Sequence, residues 1–151
     1  MEKSLIIKKY ELADKATLLS VFESNTPLYF HPNELILFSD YLELFRETYF
    51  TLREEESVIG GLGYVISADQ FTADITWIFV RPEKQRSGYG KKAVNYLLTK
   101  LKSILSLKKI KVRTSQHGNL FFESFGFKRI HFEKDYWAAG LDLYEMEINL
   151  W

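Results

Sequence analysis

The chain has 151 residues, 46% hydrophobic and 26% charged, a balance that suits a globular domain able to build its own core without a covalent staple. Twenty basic residues offset twenty acidic ones, so no global field gathers nucleic acid or coats an anionic membrane, and any anion site has to be local. Cysteine is absent and the three histidines, His31, His117 and His131, are scattered, which removes disulfides, a thiol nucleophile and thiolate metal sites; no metal is expected.

Taken in chain order, "SLIIKKYEL" has the character of a strand, and its apolar run is too short for a signal-peptide core or a membrane span, so a cytoplasmic protein is expected. "ADKATLLSVFES" follows as a helix with Asp14 as N-cap and Leu18, Leu19 and Phe22 on one face. "TPLYFHP" breaks regularity at Pro27 and Pro32, after which Asn33 is placed to cap a helix in which Leu35, Phe38, Leu42 and Phe45 share a face. "YFTLREE" and "SVIGGLGYVIS" are strand runs joined by a charged turn. The glycines of "GGLG" read as close strand packing or a bulge. In "FTADITWIFVRP", Phe71, Ala73, Ile75, Trp77 and Phe79 alternate with Thr72, Asp74, Thr76, Ile78 and Val80, and both faces turn apolar towards the end, as in a covered sheet. Ala93, Val94, Leu97, Leu98, Leu101, Ile104 and Leu105 recur at helical spacing. "KKIKVRT" is a strand, "QHGNLFFESF" a short helix stopped by Gly126, and "FKRIHF" and "LDLYEMEINL" are closing strands, the last with Tyr144, Met146, Ile148 and Leu150 on one face. No repeat or linker interrupts the order, which gives one mixed sheet covered on both sides in a single domain, residues 1–151.

Between the buried strand and the long helix stands "VRPEKQRSGYGKK". A helix N-terminus offers unpaired N–H groups and a positive dipole end, and Gly88 and Gly90 let an anion approach that backbone, with Arg86, Lys91 and Lys92 adding charge. The loop is neither a GxxxxGK[ST] phosphate loop nor a GxGxxG dinucleotide fingerprint. A glycine turn carrying solvated charges is the alternative.

The stretch "ITWIFVRPEKQRSGYGKKAVNYLL" resembles the acetyl-CoA-binding motif of the GNAT superfamily of N-acetyltransferases, with Val80, Pro82, Arg86 or Gln85, Gly88 and Gly90 on the matching positions. "TSQHGNLFFESFGF" is similar to that family's second cofactor segment, and "DYWAAGLDLYEMEINL" to the closing strand of a bacterial branch. The resemblance implies a three-layer α/β sandwich: a mixed, mostly antiparallel sheet of about six to seven strands with helices on both faces. It implies acetyl-CoA as co-substrate, Phe79 and Val80 along the pantetheine, and main-chain amides from about Arg86 to Lys91 (Arg86, Ser87, Gly88, Tyr89, Gly90, Lys91) about the pyrophosphate, with Gln85 also among the cofactor-binding residues. Ser115 stands where the family often has a cofactor-contacting Asn. Phe122 stands where the family has a Tyr proposed to protonate the leaving thiolate.

Transfer to a primary amine requires the neutral amine, and at a lysine-like pKa of ~10.4 roughly one molecule in a few thousand is neutral at pH 7. His117, at the head of the second cofactor segment, is the first candidate base. Glu34 and Asp74 are the others, Asp74 lying on the strand face shared with Thr76, Ile78 and Val80. Each has a structural alternative: a helix-start contact for His117 and a first-turn carboxylate for Glu34. The acceptor is a small-molecule or peptide amine, with "NTPLYFHPNEL" and "EKDYWAAG" as the segments expected to enclose it. No nucleic-acid or membrane partner is expected, and a homodimer is left open. The rival to an enzyme is a non-catalytic CoA-binding or partner-binding domain on the same scaffold.

Overall fold

Alternating and continuous apolar runs become seven strands in the computed structural model, which describes residues 4–150. They are β1 (Leu5–Lys9), β2 (Tyr49–Glu54), β3 (Ser57–Ile66), β4 (Thr72–Val80), β5 (Lys109–Thr114), β6 (Lys128–Ala138) and β7 (Leu141–Asn149). They form one sheet in the order β1-β2-β3-β4-β5-β7-β6, antiparallel at every pairing but β4 with β5, which are parallel. Helices α1 (Lys15–Glu23) and α2 (Glu34–Phe45) cover one face, and α3 (Tyr89–Lys102) and the short α4 (Asn119–Glu123) the other.

Each face has its own core. On the α3 and α4 side, Ala93, Val94, Leu97, Leu98 and Leu101 pack against Ala73, Ile75, Ile110, Val112 and Met146. The expected stripe of β7 lies here too, with Tyr144, Ile148 and Leu150 partly buried around Met146. On the α1 and α2 side the core is aromatic: the ring of Phe22 stacks on Phe38 at 5.1 Å and meets Phe79 edge-on at 5.6 Å. Such contacts add about 1 kcal/mol each to the burial itself.

Several boundaries differ from expectation for local reasons. The first strand stops at Lys9 because Leu12–Asp14 form a 3-10 turn. Asp14 does not cap α1 through its side chain; its carboxylate accepts from the Glu11 N–H and pairs with the Arg53 guanidinium. Asn33 is the N-cap of α2 as expected but makes no capping bond through its side chain, and the first turn is closed by Glu34 accepting the His31 N–H at 2.8 Å. The long helix begins four residues early and ends at Lys102, and Leu105, the last member of its apolar series, is exposed. The strand "FKRIHF" extends to Ala138 through an irregular pairing at Glu133 to Ala138, with Asp135 at φ +54°.

Candidate active site

The parallel seam is short. β4 and β5 pair only from Thr72 to Ile75 against Lys109 to Val112, and past Ile75 they diverge. Pairing with β3 explains the direction β4 takes. Gly63 faces Thr76 and Gly61 faces Phe79, so Trp77 and Ile78 together stand opposite Leu62 alone. That extra residue is a β-bulge, with Trp77 at φ +45°. The bulge also exchanges the faces of the strand. Asp74 and Thr76 lie on the α2 side, where Thr76 Oγ1 shares a 2.6 Å hydrogen bond with Tyr41 Oη. Trp77 and Phe79 join that same aromatic core, whereas Ile78 and Val80 pack with the α3 core. The alternation expected over Phe71–Val80 therefore fails at Thr76, and Asp74 does not share a face with Ile78 and Val80.

The "GGLG" glycines hold the bulge. A Cβ on Gly60 would collide with the Phe79 carbonyl, and one on Gly61 or Gly63 with the ring of Tyr49. Tyr49 is fully buried in the space they leave, and its hydroxyl donates to the Trp77 carbonyl at 2.7 Å. Burial pushes the Tyr49 phenol far above its usual pKa, so it stays protonated and keeps donating. Close strand packing and a bulge were the expectation for these glycines, and both occur.

The divergence opens a cavity of about 830 Å³ that runs from the loop before α3, through the gap between β4 and β5, to the start of α2. At the loop end, Gly88 is the N-cap of α3 with φ +85°, a conformation that glycine adopts without strain, and Arg86 precedes it at φ +63°. The first backbone bond from the cap into the helix runs from Lys92 N–H to Gly88 O at 3.1 Å, so the intervening first-turn amides have no acceptor within the helix. A Cβ on Gly88 would meet nothing, and one on Gly90 only the Phe121 ring at 3.4 Å. Conformation fixes the first glycine, and room for the backbone to be approached fits the second.

The residues expected about a cofactor divide here by side-chain direction. Phe79, Val80, Gln85, Arg86, Gly88, Gly90, Lys91, Ser115 and Phe122 line the cavity, while Ser87 and Tyr89 do not. Ser87 Oγ turns back to the Lys84 carbonyl, and the buried Tyr89 hydroxyl donates to Glu54; these two contribute main chain only. Gln85 spends its side chain on structure. Its Nε2 donates to Val80 O and Asn25 Oδ1, both at 2.9 Å, and its Oε1 accepts from Tyr29 Oη at 3.1 Å, tying the loop to the segment between α1 and α2. Ser115, buried, accepts the His117 N–H on its Oγ at 3.2 Å.

All three candidate bases reach the same cavity. Glu34 is 8% exposed and makes no ion pair; burial raises its pKa, opposed by the His31 N–H and charge. Asp74 is raised as well, by burial above all, with Lys111 pulling the other way. The His117 ring meets the Tyr29 ring edge-on at 5.8 Å, a contact across the cavity between the α1–α2 segment and the β5–α4 turn. Phe122 is packed against Phe121 and Phe127, so the wall there carries no hydroxyl. Tyr29 and Phe30 from "NTPLYFHPNEL" and Trp137 from "EKDYWAAG" enclose the same end. Trp77 and Arg113 complete it and were not foreseen; only the φ-positive bulge aims the first, and only the missing β4 partner beyond Val112 exposes the second. Among the described residues no group of three or more His, Asp or Glu side chains is placed to hold a metal ion, and no helix is long and apolar enough to cross a membrane.

A slot between diverging parallel strands, ending on a helix N-terminus, suits an extended ligand with an anionic end. The chain belongs to the GNAT family of acetyltransferases: residues 16–127 match the model described as Acetyltransferase (GNAT) family. Solved structures share the fold at low identity. A protein from Desulfovibrio desulfuricans assigned to the GNAT acetyltransferases superposes with a TM-score of 0.80 at 21% identity over 98% of this chain and 100% of its own. The ribosomal-protein-S18-alanine N-acetyltransferase of Escherichia coli gives 0.80 at 16% over 97% and 94%. A spermidine N-acetyltransferase chimera from Vibrio cholerae and a human counterpart gives 0.77 at 18% over 97% and 95%, and an aminoglycoside 6'-N-acetyltransferase complexed with coenzyme A gives 0.75 at 13% over 97% of both chains. No curated protein sequence matches the chain significantly. The mixed seven-stranded sheet with helices on both faces is the GNAT sandwich that the motifs implied.

Proposed function

We propose that the protein transfers an acetyl group from acetyl-CoA to a primary amine by direct attack in a ternary complex. The observation that carries this reading is the continuity of one cavity from the amides before α3, through the β4–β5 gap, to the buried carboxylate of Glu34. The loop amides from Arg86 to Lys91, with the Arg86 and Lys91 side chains, hold a pyrophosphate; the apolar slot beside Ile78, Phe79 and Val80 takes the pantetheine. β4 pairs with β5 no further than Ile75, so its main-chain groups beyond that point, other than the Trp77 and Val80 carbonyls bonded by Tyr49 and Gln85, bond the pantetheine amides and the thioester carbonyl. One fixed N–H on the oxygen where charge develops is worth roughly 3 kcal/mol.

At the far end Glu34 takes the proton from the attacking ammonium. It is buried, and its pKa, raised by burial against the pull of His31, makes it a better base than an exposed carboxylate. Asp74 is placed to relay through water, and His117 to shape the passage beside Tyr29. The amine nitrogen bonds to the acetyl carbon, the carbon–sulfur bond breaks, the nitrogen releases its second proton to solvent to leave the neutral amide, and the thiolate takes a proton from solvent. A thiol pKa near ~8.5 makes that a tolerable departure without an acid at Phe122.

The Phe122 position also favours a second reading, a CoA-binding domain without turnover. Titration with acetyl-CoA followed by thiol release separates the two. Binding with amine-dependent release supports the transferase, binding with no release for any amine supports the second reading, and no binding at millimolar acetyl-CoA ends both.

A further inference from the structure

Strand β5 sends Lys109, Lys111 and Arg113 to the α2 side of the sheet, alternating with Ile110 and Val112 in the opposite core. Two of the three cations are spoken for by β7: Lys109 pairs with Glu147 at 3.6 Å and Lys111 with Glu145 at 2.8 Å. Arg113 stands opposite Glu145 in the register, yet Glu145 turns to Lys111 and Arg113 makes no ion pair. Instead its Nη2 donates to Tyr136 Oη at 2.6 Å, and the guanidinium lies over the rings of Tyr136 and Trp137 at 4.9 and 5.5 Å. The Tyr136 hydrogen bond and the two aromatic contacts hold the guanidinium in place and leave the rest of its five N–H donors for a partner. Arg113 and Trp137 line the cavity, as do Arg86 and Lys91 beside the N-terminus of α3, so a cofactor's phosphates have other cations to meet.

Two carboxylates line the same cavity, Glu34 and Asp74, neither in an ion pair among the described residues, although Lys111 and Arg113 both act on the charge of Asp74. A guanidinium and two carboxylates lining one cavity are the complement of a zwitterion. A polycation would set its second ammonium against Arg113, a like-charge contact with a desolvation cost and no gain.

We propose that the acceptor is an amino acid, a primary amine that also bears a carboxylate, with the ammonium directed to Glu34 and Asp74 and the carboxylate taken bidentately by Arg113. This rests on the transferase reading, and the test separates the two. Initial rates of acetyl-CoA-dependent thiol release are measured for matched acceptors: phenylalanine against phenethylamine, and lysine against cadaverine. Wild-type kcat/KM is expected to be at least tenfold higher for a carboxylate-bearing member than for its decarboxylated match, the difference lying in KM. Arg113→Met, which keeps the bulk over the rings, is expected to bring that ratio to about one, and Arg113→Lys to recover part of it. A wild-type preference for the decarboxylated member, or an Arg113→Met effect equal on both members, overturns the proposal and leaves the transferase standing. Silence with all four acceptors, with acetyl-CoA bound, overturns both.

Discussion

The two ends of the cavity are built from different materials. The loop end is main chain, held by the left-handed conformation of Gly88 and the first turn of α3, and it asks of its neighbours only that they stay out of the way. The α2 end is side chain, with Glu34, Asp74, Arg113 and the aromatic rings of Tyr29, Phe30, Trp77 and Trp137 brought together from four separate stretches of sequence. A site for a constant group, a pyrophosphate, can be written in backbone, whereas a site that chooses among amines has to be written in side chains.

That contrast can be broken at either end. The largest effect is expected from Glu34→Gln, which keeps an oxygen for the His31 N–H and removes the base. Amine-dependent turnover should fall by roughly 10²-fold or more with acetyl-CoA affinity little changed; equal rates would remove Glu34 from the chemistry. The same variant reads stability. The folded-state pKa of Glu34 is raised, so the native protein binds more protons than the unfolded chain above pH 4.5, and stability is lost as pH climbs through the folded pKa. Glu34→Gln should therefore melt higher than wild type at pH 7, with the advantage closing as pH falls towards 4.5. In wild type, the rising limb of the rate should lie above pH 4.5 for the same reason.

Next in size, Gly88→Val puts a β-branched residue at φ +85° and should abolish the thermal shift given by acetyl-CoA, about 2.7 kcal/mol at a hundredfold excess over Kd. A retained shift would mean the anion is held by the lysines and Arg86 and not by amides. Tyr49→Phe leaves the Trp77 carbonyl without its donor and should cost about 1–2 kcal/mol in denaturant unfolding, with amine KM rising as the bulge relaxes. Smallest of all, Phe122→Tyr restores a hydroxyl to the wall and should change kcat by no more than about threefold at neutral pH, where thiolate departure needs little help. A much larger gain would show that protonating the thiolate limits the rate.

The same division governs what could be read from the sequence. Elements, core faces and the glycine loop before α3 follow from local signals: apolar periodicity, a glycine pair before a long amphipathic helix, and Gly126 after a short one, here at φ +98°. Asp14 and Asn33 hold the expected N-cap positions, but neither caps through its side chain: the Asp14 carboxylate pairs with Arg53, and at the start of α2 it is Glu34 that accepts the His31 N–H. Asp74 was set on the wrong company because one extra residue at Trp77 shifts every later side chain to the opposite face, and nothing in "ITWIFV" announces it. The side-chain amide of Gln85, which lines the cavity, is bonded to Asn25, Val80 and Tyr29, residues whose proximity only the tertiary fold creates. Arg113 had no local mark at all.

The short parallel seam carries one more consequence. Four residue pairs join β4 to β5, between an antiparallel ladder on one side and another antiparallel ladder on the other. Under mechanical load across the strands, that seam is the line along which the sheet would tear first. The α3 core, which spans both halves, acts as the hinge pin. A ligand lying in the slot with bonds to both strands would act as a stitch, so the force needed to open the molecule becomes a direct gauge of whether the slot is filled.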